Sequence, residues 1–210
     1  MKIDLFKNFR IKKRIKNINI IRNIGISNIC NRYGIKNFTI NDDGSIDVEG
    51  NVHLEYKLNE GKFLIKFNRV NGAFHCYGNK LTTLENSPNY ILKNFVCNRN
   101  KLTTLLGGPS HVNGDYFCHE NYLKDMYGFP EDFRNYLDIG IANPVYEILL
   151  LSTLYPNLDL DILIKFIQWL NIYTVIRNGN TIVQDRLEEA LSVVGKTLPE
   201  NTNFRNYKLI

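Results

Sequence analysis

Hydrophobic positions recur every 21 residues between Val70 and Phe133. Six positions keep this spacing through two successive steps, which chance does not produce. They are Phe74, Phe95 and Tyr116; Cys76, Cys97 and Cys118; Asn79, Asn100 and Asn121; Leu81, Leu102 and Leu123; Leu84, Leu105 and Met126; and Pro88, Pro109 and Pro130. A heptad coiled coil also has a period that divides 21, but a proline in every unit argues against helices, since proline inside a helix costs about 3 kcal/mol. The pattern therefore predicts a solenoid in which each unit has one short strand and a return segment.

The spacing within a unit predicts which side chains face the core. Phe74 and Cys76 are two residues apart, so both point to one face of a strand, while His75 and Tyr77 point to the other face. Asn79 comes just after the strand, where an asparagine can bond the backbone groups that leave the ladder. Stacking the units then predicts a row of asparagines: Asn79, Asn100 and Asn121.

The three clear units follow a degraded fourth. Val52 and Leu54 lie 22 residues before Phe74 and Cys76, which a one-residue insertion in the return segment explains. We therefore predict an α+β protein with about four repeats over residues 49–134. Its parallel strands are centred near residues 52–54, 74–76, 95–97 and 116–118.

The segments on either side of the repeats predict helical caps. In residues 1–48, isoleucines at helical spacing indicate one or two helices that stop at Gly34, and Asp43-Gly44 indicates the turn of a hairpin. In residues 135–210, Asn143-Pro144 predicts a helix start, residues 160–173 a buried helix, and Thr181-x-x-Gln184 a capping box before a further helix. We expect a C-terminal cap or a small helical domain.

Composition and charge add one further candidate site. The 210 residues are 44% hydrophobic and 12% aromatic, which favours a globular protein over a disordered one. No apolar run approaches the roughly 20 residues that span a bilayer, so we expect a cytoplasmic protein without membrane partners. Residues 1–24 carry a net charge of +7. Their basic side chains predict a site for nucleic acid or an acidic protein surface, unless they form a solvated helix face: Lys12, Lys13, Arg14 and Lys16.

The runs Asn79-Lys80-Leu81-Thr82-Thr83-Leu84 and Asn100-Lys101-Leu102-Thr103-Thr104-Leu105 resemble the short leucine-rich repeats of many phage and bacterial proteins. The resemblance covers roughly residues 33–134. It implies a leucine-rich repeat solenoid that binds other proteins through a concave strand face. It specifies no activity, and the chain departs from the family pattern by having cysteine in place of a leucine in three strands.

Cysteine and histidine lie side by side in the repeats, which raises the question of zinc binding or nucleophilic catalysis. Neighbouring residues of a strand face opposite ways, so His75 cannot join Cys76, nor His119 join Cys118. Buried, reduced cysteines that replace leucine are the favoured interpretation, over metal or disulfide. The chain also lacks a phosphate-binding glycine loop, a zinc motif and a nucleophile elbow. We expect no catalytic residues, no metal and no cofactor.

The outward strand positions predict the binding site. They form two rows, one of His75, Val96 and Phe117 and one of Tyr77, Asn98 and His119. Apolar and aromatic side chains on an outward sheet face are typical of a protein-binding hot spot, unless the C-terminal helices cover them. Arg99 and Glu120 at the strand ends would supply charges at the rim.

These features lead to one main hypothesis and two alternatives. The main hypothesis is a non-enzymatic protein-interaction module of a phage or mobile element, which inhibits or redirects a host protein, such as a defence protein. The first alternative is a nucleic-acid or nucleoprotein binder that uses the basic N-terminus. The second is a virion accessory protein.

Overall fold

The computed structural model describes residues 2–130, 133, 135–153 and 160–210, and for residues 2–17 it describes the backbone alone. The first elements are helix α1 (Lys2–Tyr33) and strands β1 (Phe38–Ile40), β2 (Ile46–Val48), β3 (Val52–His53), β4 (Phe67–Val70), β5 (Phe74–His75), β6 (Tyr90–Ile91), β7 (Phe95–Val96), β8 (His111–Val112), β9 (Tyr116–Phe117) and β10 (Leu137–Asp138). Then follow α2 (Tyr146–Leu149), a 3-10 helix (Leu150–Thr153), α3 (Leu160–Ile172), β11 (Ile176–Arg177), β12 (Thr181–Ile182), α4 (Gln184–Val193) and β13 (Lys208–Leu209).

The central part of the chain is a β-solenoid of about four turns, with helices before and after it. Its main ladder consists of the parallel strands β3, β5, β7, β9 and β10, and its return ladder of β2, β4, β6 and β8 with β1 added at the edge. The predicted α+β solenoid with parallel strands is confirmed.

The main ladder follows the predicted register. Val52 pairs with Phe74, Phe74 with Phe95, and Phe95 with Tyr116. The offset of 22 residues in the first step and 21 in the others confirms the one-residue insertion. One inward residue of each strand is fully buried, and the alternation that predicts the strands therefore also defines the core.

The return ladder is a second sheet that the sequence pattern does not predict. Val48 pairs with Val70, Val70 with Ile91, and Ile91 with Val112. These strands are mostly two residues long, so each shows a single buried position instead of an alternation. The 21-residue spacing of Val70, Ile91 and Val112 is the signal that was available for them.

The main ladder also continues past residue 134, where the sequence pattern predicts that the repeats end. Leu137 pairs with Tyr116, so β10 forms a further rung. Asn143 Oδ1 accepts a hydrogen bond from the backbone N–H of Leu123, as the other asparagines of the row do one rung earlier. The rung is hidden in the sequence because an insertion shifts its asparagine from a 21- to a 22-residue offset.

Helix α1 is a single helix, and its last turn caps the solenoid. Cys30 and Tyr33 are buried, while Ile26 and Ile29 pack against the core. Gly34 follows with φ +72°, the left-handed conformation that ends the helix as predicted. The isoleucines further up the helix, Ile18, Ile20, Ile21 and Ile24, are exposed, so the cap is shorter than the isoleucine pattern indicates.

The C-terminal part combines three helices with a small sheet. Helix α3 matches the predicted buried helix, and Leu187, Ala190 and Leu191 of α4 are buried as expected. The predicted capping box is wrong, because Thr181 belongs to β12, which pairs with β11 and β13. This unit joins the end of the solenoid through hydrogen bonds such as Asn171 Nδ2 to Met126 O and Tyr207 Oη to Lys124 O.

Aromatic rings fill the centre of the solenoid. The Phe95 ring centroid lies 6.1 Å from that of Phe74 and 4.9 Å from that of Tyr116. Tyr116 is fully buried, and its hydroxyl has no hydrogen-bond partner among the described residues. Burial accordingly raises the pKa of this hydroxyl well above its usual value. The neighbouring rungs have phenylalanine at the same position, so the hydroxyl is a cost to the core.

Replacing Tyr116 with phenylalanine is expected to leave the free energy of unfolding unchanged or to raise it by up to about 2 kcal/mol. The reason is that the change removes an unsatisfied buried hydroxyl and keeps the ring. Urea denaturation provides the measurement. The control is Phe95→Tyr, which adds a hydroxyl one rung away and should lower stability by about 1–3 kcal/mol. A loss of more than about 1 kcal/mol in Tyr116→Phe would contradict this account.

Candidate binding face of the main ladder

The outward side chains of the main ladder form the rows that the alternation predicts. His75, Val96 and Phe117 stand in register on adjacent strands, and His53 and Asp138 extend this row at its two ends. Tyr77, Asn98 and His119 form the second row, one alternation further along the strands. We call this surface the main face. Its side chains are half-buried, apart from the exposed His53 and the buried Asn98.

Asn98 is wrongly placed among the accessible residues, because the structure buries it to 8% exposure. Its Nδ2 lies 3.0 Å from His119 Nε2, so the two side chains of neighbouring rungs hydrogen-bond to each other. His119 Nδ1 in turn lies 2.9 Å from Asp138 Oδ2. Asn98 and Asp138 therefore fix the orientation of the His119 ring, which is the member of this chain that remains partly exposed.

The predicted rim charges pair with each other. Arg99 Nε lies 3.2 Å from both carboxylate oxygens of Glu120, and both side chains are about half exposed. The two residues have φ values of +55° and +51°, the left-handed conformation, directly before the asparagine that turns inward. Gly78 is the equivalent residue of the preceding rung. A Cβ built on it would lie 2.3 Å from the Tyr56 ring, so glycine is required there.

Two tyrosines extend the apolar part of the main face. The Tyr56 ring centroid lies 5.4 Å from that of Tyr77, and the Tyr136 centroid lies 5.9 Å from that of Phe117. Tyr56 is 65% exposed and Tyr136 is 60% exposed. Sequence analysis missed both, since they lie in the degraded first unit and in the hidden last rung. The face thus has aromatic side chains at its centre and towards both ends of the ladder.

A histidine and carboxylate cluster lies at the β3 end of the main face. Glu55 Oε1 lies 2.8 Å from His53 Nδ1 and 3.1 Å from His75 Nδ1. Burial favours the neutral form of the Glu55 carboxyl, but hydrogen bonds from His53 and from its own backbone, with the histidine charges, lower its pKa overall. Sequence analysis missed this cluster, because it considered histidine only beside cysteine and not across the insertion.

The return ladder carries an outward row of its own. The Arg69 guanidinium lies 4.0 Å from the Tyr90 ring centroid, and the Tyr90 ring stacks on His111 at 6.0 Å. Each of these side chains belongs to a different strand of the return ladder. This row has the same kind of exposed ring stacking as the main face, and sequence analysis did not predict it. It offers a matched control surface.

The three repeat cysteines pack as leucine substitutes. Cys76, Cys97 and Cys118 are fully buried, and burial raises the pKa of each thiol well above its usual value. Cys30 is also buried, which raises the pKa of its thiol to about 11. His75 and His119 lie on the opposite strand face from the repeat cysteines, as the alternation predicts. The thiol is the dominant species at neutral pH, so these side chains are poor nucleophiles.

We expect none of the four thiols to react within seconds with Ellman's reagent in the native protein, because each sulfur is buried and protonated. All four should react after unfolding in guanidinium chloride. The control is Lys101→Cys, which places one thiol at an exposed position between the repeat strands and should react at once. A rapidly reacting thiol in the native unaltered chain would contradict the assignment of these cysteines to the core.

The basic candidates Lys12, Lys13, Arg14 and Lys16 belong to α1, but their side chains lie outside the described residues. The nearest basic side chain that is described is Arg22. Its Nη1 donates a hydrogen bond to the backbone oxygen of Asp42 in the hairpin turn. This contact ties α1 to the start of the return ladder. Across the described part of the chain, no helix is long and apolar enough to cross a membrane.

Comparison with protein-family models, with curated proteins and with solved structures gave no match to this chain. Its function is therefore inferred from the main face itself.

Proposed function

We propose that the chain is a non-enzymatic protein-interaction module that binds its partner through the main face. The observation that carries the proposal is the row of Tyr77, Val96 and Phe117, with Tyr56 and Tyr136 beyond its ends. These side chains are apolar or aromatic and partly exposed. An aromatic centre with polar surroundings is the composition that concentrates binding energy in protein interfaces.

The scaffold suits this role because it holds the side chains rigidly. Each outward residue stands on a strand that is hydrogen-bonded on both sides, as Cys76 N to Val96 O at 2.8 Å and Cys97 N to Phe117 O at 2.9 Å illustrate. A preformed surface loses little conformational entropy on binding. The paired Arg99 and Glu120 at the rim contribute to the rate and selectivity of association more than to affinity.

The resemblance to short leucine-rich repeats of phages and bacteria supports a more specific proposal. On that basis the partner is a host protein or a protein of a competing element, such as a defence protein, and the chain inhibits or redirects it in the host cytoplasm. The second candidate is nucleic-acid binding. It rests on the net charge of +7 in residues 1–24 and would use Lys12, Lys13, Arg14 and Lys16.

Retrieval of the tagged full chain from bacterial cells tests the proposal, with half of each sample treated with DNase and RNase. We expect a protein that is retained in stoichiometric amount after nuclease treatment and after a wash at 0.5 M salt. Material lost on nuclease treatment or in the salt wash would overturn the proposal in favour of nucleic-acid binding. Retrieval of structural virion proteins from infected cells would instead indicate a virion accessory protein.

A further inference from the structure

We propose that His53, Glu55 and His75 bind a divalent transition-metal ion of the zinc type. The proposal departs from the sequence-based expectation that no metal is bound, and it does not rest on the proposed protein-binding function. The three side chains lie on two adjacent strands of the main ladder, β3 and β5. Histidine and carboxylate side chains are the usual zinc ligands besides cysteine.

The fold brings the three ligands together on a rigid base. His53 and His75 are paired in register on parallel strands, and Glu55 follows His53 by two residues, so all three point to the outward face. Backbone hydrogen bonds flank the two histidines, from Val52 N to Ala73 O at 2.9 Å and from Leu54 N to His75 O at 2.8 Å. The ligand positions are therefore set by the ladder and not by a loop.

The distances fit one small ion. The candidate ligand atoms, two Nδ1 and one carboxylate oxygen, all lie within 4.8 Å of one another. Ligands bound tetrahedrally to zinc at about 2.0–2.1 Å are about 3.3 Å apart. Glu55 Oε1 lies 2.8 Å from His53 Nδ1 and 3.1 Å from His75 Nδ1. Small rotations of the side chains admit the ion, which replaces the protons that join these atoms in the metal-free protein.

Exposure shows how the ion enters and what it leaves open. The side chains of Glu55, His75 and His53 are 16%, 28% and 53% exposed, so the carboxylate lies at the base and His53 at the open side. Three protein ligands on one side leave a coordination position towards solvent. Two imidazoles with one carboxylate favour zinc, nickel or copper over magnesium and calcium, which prefer oxygen ligands.

The test is zinc titration of the full chain after EDTA treatment, by isothermal calorimetry at neutral pH, with thermal melts in parallel. We expect one equivalent of Zn²⁺ to bind with a Kd of micromolar order or tighter, an accompanying rise in Tm, and no binding of Mg²⁺. Glu55→Gln and His75→Gln should each weaken zinc binding by about 100-fold or more, a larger effect than the loss of an outer-shell partner.

Two histidines elsewhere provide matched controls. His111→Gln changes an exposed histidine of the return ladder, and His119→Gln changes the other histidine of the main face. Both should bind zinc as the unaltered chain does. His53→Gln alters the most exposed ligand and keeps the test valid if Glu55→Gln fails to fold. Absence of saturable zinc binding, equal binding by the His53→Gln and His75→Gln variants, or its loss in the His111→Gln or His119→Gln variant would overturn the proposal.

Discussion

Replacing Asn100 with alanine is expected to lower the free energy of unfolding by about 3–5 kcal/mol. Asn100 lies in the middle of the asparagine row and is only 5% exposed. Its Oδ1 accepts hydrogen bonds from the backbone N–H groups of Asn79 and Leu81, at 2.9 and 3.0 Å. Its Nδ2 lies within hydrogen-bonding distance of three backbone oxygens, those of Cys76, Cys97 and Asn98.

The expected loss is large because alanine leaves several buried backbone groups without this partner at once. Each unsatisfied buried group costs about 1–3 kcal/mol, and the surrounding rungs leave little room for water to replace the amide. The neighbouring asparagines make the same kind of contacts one rung away, so they cannot turn to Asn100's partners without leaving their own. The free energy of unfolding is measured by urea denaturation.

Lys101→Ala is the matched control. The Lys101 side chain is exposed, and its backbone N–H, which donates to Leu81 O at 2.8 Å, is retained by alanine. We expect a change below about 0.5 kcal/mol. Equal urea midpoints for the two variants would show that the asparagine row does not hold the turns of the solenoid together.

The asparagine row and the main ladder could be predicted because each repeat states them in the same way. Phe74, Cys76 and Asn79 recur with their spacing unchanged, so one strand and one turn follow from any single unit. The return ladder could not be predicted in this way. A strand such as Tyr90–Ile91 has one inward residue, and a single hydrophobic position has no period.

The last rung and the C-terminal sheet were missed for a different reason. The rung of Leu137 and Ile139 has lost the cysteine and leucines of the repeat, and only its pairing with β9 identifies it. Thr181 was assigned to a helix start because the capping-box pattern considers four residues alone. Its backbone pairs instead with Lys208, a contact across 27 residues that no local pattern contains.

The candidate site could be predicted as a surface but not in its contacts. Alternation gives the direction of Val96 and Phe117, which is a local property of a strand. The burial of Asn98 depends on His119 in the next rung, and the meeting of His53 with His75 depends on a one-residue insertion between them. Such contacts follow from the exact offset between rungs, which the degraded first unit obscures.

Combining Tyr77→Ala, Val96→Asp and Phe117→Ala is expected to weaken binding of the retained partner by about 100-fold or more. The three changes remove two aromatic contacts and place a charge at the centre of the main face, where an apolar partner surface would have to desolvate it. The side chains are half-buried and point away from the core, so the loss of stability should remain below that of Asn100→Ala.

The matched control changes the outward row of the return ladder with Arg69→Ala, Tyr90→Ala and His111→Ala. These side chains have equivalent positions on the other sheet and similar ring contacts. We expect them to leave partner binding unchanged. The control separates a specific role of the main face from a general effect of removing rings from the solenoid surface.

The most direct test of the binding role of the main face is the partner's Kd for both triple variants, measured with their urea midpoints. The account predicts that the main-face variant loses binding while it remains folded, and that the return-ladder variant binds as the unaltered chain does. Full binding by a folded main-face variant would contradict the account, as would a loss of stability larger than that of Asn100→Ala, which would assign these side chains to the core.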